Sequence, residues 1–583
     1  MLNSLHVAQT GLTSARTAVE GVMNNIANEN TPGYKKRVIE FSETAHVGGS
    51  PTGRGVQIGD ISRITNEYMY DNLLKEQSKE SYYKELSSKL SDIESLFFET
   101  EDGGFSSDLN RYFQAMENLR ADPNNEIYKN TLKNQANIIV EDLKNLYKGV
   151  EDIQTVAKNT VKSDVEIING ILADIGNVNE KIGQQLIPSA DLLDSRDALE
   201  QRLSEYVDVD IDRTDDYELR IGGRIAVRYN TNIHNVTVVD DPTAQMDKIN
   251  KSDMNTFATF ATGDSATYRL NNTAEISVTF DEMVNGIQVD TPEELMDAIA
   301  FKINASTSMT GTITATVTGG TSDILEIESN TKGETGGFEG LLLFNDASAS
   351  KKGFIDKDAL ASTPGKDDLH IEIFDAELPL KRGSIKAQTE NLTSDSGSNK
   401  FAAYKEKLDQ FVKTFVDVHD AFVTQTDGTY LYGENASDLA TSGTTTTIGL
   451  FSGSTVNSFK FNESAVLSLD QSKLDYLAKL QWKEDLGFDG TPQDGIAANA
   501  SSFAKFYQTV QVQLASDKEN VDYLKDTQGA ITNSLQGTYD KLVKVDKDEE
   551  MLNLIKFQSA YEANAKIITV VDEMLATILG MKR

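Results

Sequence analysis

Residues 22–37, VMNNIANENTPGYKKR, set the problem: a helical repeat carries Asn25 and Asn28 and then meets Thr31-Pro32-Gly33. Proline lacks a backbone N–H and constrains the residue before it, while glycine tolerates positive φ, so a helix reaching this point ends here. Tyr34 comes next, beside Lys35, Lys36 and Arg37. Upstream, Leu5, Ala8, Leu12, Ala15, Val19, Val22 and Ile26 step by three and four, the spacing of one narrow apolar seam facing a partner helix. The first helix is amphipathic, rich in small residues and cut off abruptly.

The far end repeats the pattern. Leu554, Phe557, Tyr561, Asn564, Ile568, Val571, Leu575 and Ile578 also step by three and four, with only Asn564 polar. Residues 1–40 hold four positive and three negative side chains, as do residues 551–583, so each end carries about +1 of a formal total of −36. About −38 falls on the middle. The acidity that keeps the chain in solution is thus withheld from both ends. Two narrow-striped helices form a marginal pair alone, and HVGGSPTGRG (46–55) separates the first of them from the rest of the chain. The ends are expected to pack on each other and on neighbouring molecules.

Composition narrows the function. With 91 acidic against 55 basic residues, and no basic stripe beyond Lys35, Lys36 and Arg37, nucleic acid is not an expected partner. Cysteine is absent, which removes disulfides and thiolate metal sites, and the five histidines are scattered without a His-x-x-x-His pair. No metal or cofactor is expected. No apolar run approaches the roughly 18–20 residues that span a bilayer, so no membrane insertion is expected. MLNSLHVAQT lacks the charged start, apolar middle and cleavage site of a secretory signal. That fits a cytoplasmic chain, or one exported by a route that reads an uncleaved N-terminal segment.

The 583 residues suffice for several cores. Residues 66–200 read as long helices, with Leu86, Leu90, Ile93 and Phe97 in one stretch and Ile167, Ile168, Ile171, Ile175, Val178 and Ile182 in another. GGFSSD and ADPNNE break them, and Asp122-Pro123 predicts a helix start. From Val207, alternation around Gly222-Gly223 predicts a hairpin. Residues 245–370 mix strand-like pieces with one helix opened by Thr291 and Pro292. LHIEIFDAELPL and GSIKAQ read as returning strands, and helical spacing resumes at Phe401, Tyr404, Leu408, Phe411, Phe415 and Val418. Residues 427–490 are rich in Gly, Thr and Ser, and a further helix runs from Ser502 through Phe503, Tyr507, Val510, Leu514, Val521 and Leu524.

The predicted fold class is α+β, multidomain and discontinuous, with paired N- and C-terminal helices, a long α-helical bundle arm and inserted β-rich outer domains. Its predicted parts are a terminal coiled-coil domain (1–45 plus 546–583) and a helical arm with a β-hairpin tip (46–244, 371–426 and 491–545). An α+β outer domain (245–370) and a loop-rich insert (427–490) complete it.

Candidate chemistry is thin. Asp208, Asp210 and Asp212 begin like a calcium loop, but Arg213 stands where such a loop needs Gly and Leu219 where it needs Glu, so a polar strand edge is the better reading. Asp546–Glu550 (DKDEE) suits a helix start, where carboxylates meet the positive end of the dipole. Gly53, Gly55 and Gly59 lack the dinucleotide spacing and its strand-turn-helix setting. No nucleophile, base and acid are grouped, and no enzyme is expected. A secreted hydrolase or adhesin carried by the central inserts stands as the alternative from a different class.

GLTSARTAVEGVMNNIANENTPGYKKR resembles the N-terminal signature of the rod, hook and hook-associated proteins that form the axis of the bacterial flagellum. TGRGVQIGDISRITNEYMYDNLLKEQ is similar to the segment that comes after it there, and DKDEEMLNLIKFQSAYEANAKIITVVDEML to the family's C-terminal helix. FSSDLNRYFQAMENLRADPNNEIYKNTLKNQANIIVEDLKNL and DLLDSRDALEQRLSEYVDVDI resemble the branch that joins hook to filament. The resemblance covers about 1–240, 370–425 and 500–583.

It implies a non-enzymatic motility part that assembles helically with copies of itself. Its implied partners are the hook protein, a second hook-filament junction protein, an export chaperone and the type III export apparatus, which leaves the chain uncleaved and extracellular. A hook or distal-rod protein is the alternative within the family. The expected assembly residues are Leu5, Leu12, Val19, Val22, Asn25, Ile26, Asn28, Pro32, Gly33, Tyr34, Leu554, Phe557, Tyr561, Asn564, Ile568, Val571, Leu575 and Ile578. Asn25 and Asn28 are expected to bond backbone around the bend and Tyr34 to anchor the departing strand.

Overall fold

The computed structural model describes residues 2–581 apart from 45–52, 100–102, 215, 229–231, 253, 255–260, 272–273, 319–323, 334–336, 339, 346–351, 355–360, 364, 395–398, 425–429, 433–444 and 489–499. The HVGGSPTGRG linker as far as Thr52, and the TSGTTTTIG stretch as far as Thr444, lie outside the described residues. The helices are α1 (Leu2–Ala27), α2 (Glu67–Phe97), α3 (Phe105–Ala121), α4 (Glu126–Gly183), α5 (Ala190–Tyr206), α6 (Pro292–Ala305), α7 (Ser384–Glu390), α8 (Lys400–Asp420), α9 (Gln471–Lys479), α10 (Phe503–Val543) and α11 (Lys547–Gly580).

Two antiparallel helix pairs lie end to end. In the first, α1 runs against α11: Asn25 meets Glu550, while Gly11 meets Asn564 fourteen residues further along each helix. In the second, α2 runs against α10: Gln511 donates to the Phe97 carbonyl at 3.1 Å, Gln528 bonds Glu76, and the Tyr70 and Tyr539 rings lie 5.9 Å apart. Both chain paths break at one level, at Thr31–Gly33 and at Lys544–Asp546, and Lys36 N–H donates to the Val543 carbonyl across the break at 2.8 Å.

Side-chain caps set most helix starts: Asn66, Asn399 and Ser502 each accept a backbone N–H of the first turn. At α4 the expected start at Asp122-Pro123 is displaced. Asp122 closes α3 and its carbonyl accepts Asn125 N–H, and Asn125 caps α4 through Ile127 N–H. The Pro therefore shapes the turn, and the better cap three residues on begins the helix.

The main core joins α2, α3, α4, α5, α8 and α10. Along α4, Leu132, Ala136, Ile139, Leu143, Tyr147 and Val150 are buried at steps of three and four. Phe411 lies 5.2 Å from Phe105 and 5.5 Å from Phe503, and Phe415 lies 5.0 Å from Phe451. Phe451 belongs to the stretch expected as a loop-rich insert. Its neighbours Ile448, Leu450, Val456, Phe459, Leu474 and Tyr476 are buried in the same core, so the described part of 427–490 is continuous with the arm. Its apolar residues have no regular period, which conceals them in polar text.

Beside the core, Val209–Asp212, Glu218–Ile221, Arg224–Arg228 and Asn232–Ile233 form an antiparallel sheet in chain order. Gly222 (φ 54°) and Gly223 (φ 81°) make its two-residue turn, both in the left-handed region such a hairpin requires. Thr237–Asp240 pairs with Leu369–Glu372 at the neck of the outer domain. Beyond the neck lie two four-stranded sheets and α6 with a core of their own, including Tyr268, Leu295, Ile299 and Leu342. Thr291 and Glu294 close a reciprocal capping box at α6. GSIKAQ, expected as a strand, is the start of α7: Ile385 and Gln388 are buried one helical turn apart, a spacing too short to read in six residues.

Candidate assembly interface

The chain turns between the two pairs through Thr31–Tyr34. Tyr34 N–H donates to the Thr31 carbonyl at 3.2 Å, and Gly33 sits at φ 78° without crowding, which makes a type II turn with proline and glycine in its central places. Asn28 bonds back to the Asn24 carbonyl at 3.0 Å and tightens the last turn of α1.

Asn25 is buried and uses all of its bonding capacity. Its amide donates to the Arg37 carbonyl (2.9 Å) and to Glu550 (3.0 Å), and its oxygen accepts Arg37 N–H (3.0 Å) and the Tyr34 hydroxyl (2.9 Å). One side chain thereby ties α1, the turn, strand β1 (Arg37–Glu43) and the start of α11. Strand β2 (Val56–Arg63) pairs antiparallel with β1, and the hairpin lies against α1, where Gly55 approaches Val7 and Thr10 and Gly21 approaches Ile39.

The three cations after Tyr34 meet carboxylates on α5 and α11. Arg37 bonds Asp194 (2.6 Å) and Asp191 (3.0 Å), Arg63 bonds Asp197 (2.6 Å) and Asp194 (3.0 Å), Lys35 pairs with Asp197, and Lys36 pairs with Glu549 (2.8 Å) and Glu550 (3.3 Å). Arg37 also stacks over Tyr34 at 4.5 Å. Burial pushes the Asp197 carboxyl up, but Lys35 and Arg63 outweigh it and hold it below the usual carboxylate range. One turn on, burial raises Glu200 although Arg213 (2.5 Å) and the Tyr217 hydroxyl (2.9 Å) bond it. Asp546 caps α11 by accepting Asp548 N–H at 2.9 Å, in keeping with a helix-start role for DKDEE.

The expected assembly residues divide into two groups. Val22, Asn25 and Val571 are buried within the chain, and Leu5, Leu12, Val19, Ile26, Asn28, Tyr34, Leu554, Phe557, Asn564, Ile568 and Leu575 are half-buried, chiefly at the α1–α11 contact and the bend. Pro32, Gly33, Tyr561 and Ile578 are exposed. The deepest positions of α1 are Ala8, Ser14, Ala15, Ala18, Val22 and Asn25, and a Cβ on Gly11 would strike Asn564 at 2.7 Å. Small residues let the helices approach, and the one polar seam position lies opposite a glycine.

A second apolar surface escaped the sequence pattern. On α11, Met551, Leu552, Ile555, Ile567, Val570 and Met574 are exposed, and Ile567, Val570 and Met574 each precede a seam residue by one, which sets them about 100° around the helix. On α1 only Val7 and Met23 are exposed large apolar residues among the described side chains, so the broader unpartnered apolar face belongs to α11. The carboxylate stripe Asp191, Asp194, Asp197, spaced by three, was the available signal for the partners of Lys35 and Arg37. Among the described residues, no helix is long and apolar enough to cross a membrane, and no group of three or more His, Cys, Asp or Glu is placed to hold a metal ion.

Three family models match separate parts of the chain: "Flagella basal body rod protein" over residues 5–35, "Flagellar hook-associated protein FlgK helical domain" over 90–267, and "Flagellar basal body rod FlgEFG protein C-terminal" over 541–581. All three matches are to proteins of the bacterial flagellum. Among its relatives are flagellar hook-associated protein 1 of Bacillus subtilis, 25% identical over 36% of this chain and 43% of that protein, and of Salmonella typhimurium, 25% identical over 36% and 39%. These alignments span about two-fifths of each relative. Flagellar hook-associated protein 1 of Escherichia coli aligns end to end at 21% identity. The chain is thus similar to flagellar hook-associated protein 1 in its helical domain, and to flagellar rod proteins at both ends. A solved flagellar hook junction protein FlgK from Burkholderia pseudomallei aligns over 80% of this chain and 99% of its own at 10% identity, with a TM-score of 0.36.

Proposed function

We propose that this chain is a structural adaptor of the bacterial flagellum, stacked helically with its own copies where hook meets filament. The hook protein lies on one side and a second junction protein on the other. It reaches that place uncleaved, delivered by an export chaperone to the type III export apparatus. The observation that carries the reading is the exposed apolar face of α11, in a chain of net charge −36. Such a face on a helix already paired along its seam marks a surface for further helices. The paired helices between residues 66 and 200 favour the junction branch over a hook or distal-rod protein.

Replacing Ile567, Val570 and Met574 together by Asp tests this. Helix content and arm melting are expected to stay at wild-type values while incorporation at the hook tip, read by microscopy and motility, is lost. Normal incorporation would sink the proposal.

A further inference from the structure

The chain contains no cysteine, so the thioethers of its 12 methionines are its only sulfur atoms, and two-electron oxidation falls on them. Their placement is uneven. Met116, Met254, Met296 and Met309 are enclosed in the two cores at 0% exposure, whereas Met23, Met283, Met551, Met574 and Met581 stand 48–83% exposed. Met23 lies on α1, Met551 and Met574 lie on α11, Met581 follows its last turn, and of the five only Met283 belongs to the outer domain.

On α11 the two thioethers lie outside the three-four seam, among the exposed apolar residues. Ile567 and Val570 stand two turns and one turn before Met574, and Ile555 stands one turn after Met551. A thioether packs as an unbranched apolar group and adapts to an irregular surface. Its sulfoxide carries an S=O dipole that needs a hydrogen-bond donor, and an apolar helix packed over it offers none.

We infer that Met551 and Met574 form an oxidation-sensitive site that controls whether a subunit can enter its assembly. The inference rests on the reading above that copies of the chain pack on this face. A sulfur lone pair attacks one oxygen of a hydroperoxide and the O–O bond breaks. The sulfide loses two electrons and becomes a sulfoxide, while the peroxide is reduced to water or an alcohol. A sulfoxide reductase working with a dithiol reverses the step: the oxygen leaves as water and the dithiol becomes a disulfide. Oxidation before assembly closes the face, and packing of the next copy shields the thioethers that escaped it.

The purified full chain is treated with hydrogen peroxide and followed by peptide mass mapping. Met551 and Met574 are expected to oxidise about tenfold faster than the enclosed Met116 and Met296, and equal rates overturn the site. Treated and untreated chains are then added to hook-bearing cells that lack the chain. Treated chain is expected to bind hook tips about tenfold less, and binding is expected to return after incubation with a methionine sulfoxide reductase and dithiothreitol. A chain carrying Met551→Leu and Met574→Leu, which keeps the face apolar at nearly the same volume, is expected to bind equally before and after peroxide. Undiminished binding by chain that carries both sulfoxides overturns the inference and leaves the self-assembly reading standing, as does an equal loss in the doubly substituted chain. Isolated wild-type flagella receive the same treatment, and both thioethers are expected to oxidise far more slowly there than in the free chain. Equal rates in flagella and free chain would show the face uncovered and fail the reading itself, and the inference with it.

Discussion

The pair α2–α10 and the pair α1–α11 share an antiparallel plan and a three-four spacing, yet they bury different things. Across α2–α10, Leu90, Ile93 and Phe97 lie opposite Tyr507, Val510 and Leu514, and α4 and α8 add further layers behind them. Across α1–α11 the buried apolar side chains are Ala8, Ala15, Ala18, Val22 and Val571, and among the described residues nothing covers the other apolar side of α11. Periodicity alone does not make a helix pair self-sufficient. Side-chain size and a third layer do, because an isolated pair gains too little burial to offset the ordering of two long segments. The arm therefore holds the stability of the subunit, and the terminal pair holds its incompleteness.

The largest test of this contrast is Phe411→Ala, in the middle of the aromatic core. Loss of a buried aromatic costs about 3–5 kcal/mol, so calorimetry should show a large drop in arm melting while α1 and α11 exchange their amides as before. A parallel loss of protection in both pairs would erase the distinction. Next comes Asp197→Asn, which strips Lys35 of its carboxylate and leaves a buried cation poorly paired, at a cost of about 3 kcal/mol. Its pH dependence has a definite sign. Asp197 has a folded value below its unfolded one, so its contribution is complete above about pH 4 and is lost as pH falls through the folded value. Wild-type melting should therefore fall more steeply on acidification than that of Asp197→Asn, and parallel curves would count against the ion pairs as the cause.

Gly11→Val acts on the terminal pair alone. Its side chain would strike Asn564, an overpacking of about 1–3 kcal/mol, so α1 should lose hydrogen-exchange protection with arm melting unmoved. The smallest effect is Asp409→Asn on α8. Burial pushes the Asp409 carboxyl up to about 7, while its oxygen accepts Val456 N–H at 2.7 Å. A carboxyl whose folded value is raised destabilises increasingly as pH climbs from about 4 to beyond 7, and the amide keeps the acceptor without the charge. Asp409→Asn should stabilise by about 1 kcal/mol at pH 8, allowing for partial exposure of the carboxyl, and be neutral near pH 4. A gain independent of pH would contradict this origin.

Both terminal helices, the bend and the arm helices were legible because long three-four repeats, Pro-Gly and Asn or Ser caps are local signals. The bend's fastening was not. Asn25 stands between Arg37 and Glu550, and Arg37 between residues more than 150 positions away on α5, so the pattern exists only in space. The free face of α11 was hidden for another reason: Ile567, Val570 and Met574 adjoin seam residues in sequence, and a single stripe traced through them absorbs both faces. Polar partners in place of strands were equally out of sight. Asn169 bonds both backbone groups of Val236, Gln245 those of Phe338 and Asn304 those of Ala315, as Asn25 does those of Arg37. In each case a side-chain amide stands in for a missing neighbour strand, which composition cannot reveal.

The 58 residues of α4 also have a mechanical meaning. As a straight rod the helix is a lever of roughly 87 Å, so a tilt of about 1° at one end sweeps the other through roughly 1.5 Å. Its C-terminal end is moored to α5, where Asn179 accepts from Arg196 at 3.0 Å, and α5 in turn is held by Lys35, Arg37 and Arg63. The rigidity of those few charged contacts sets how far the opposite end of α4 moves when the terminal helix pair shifts.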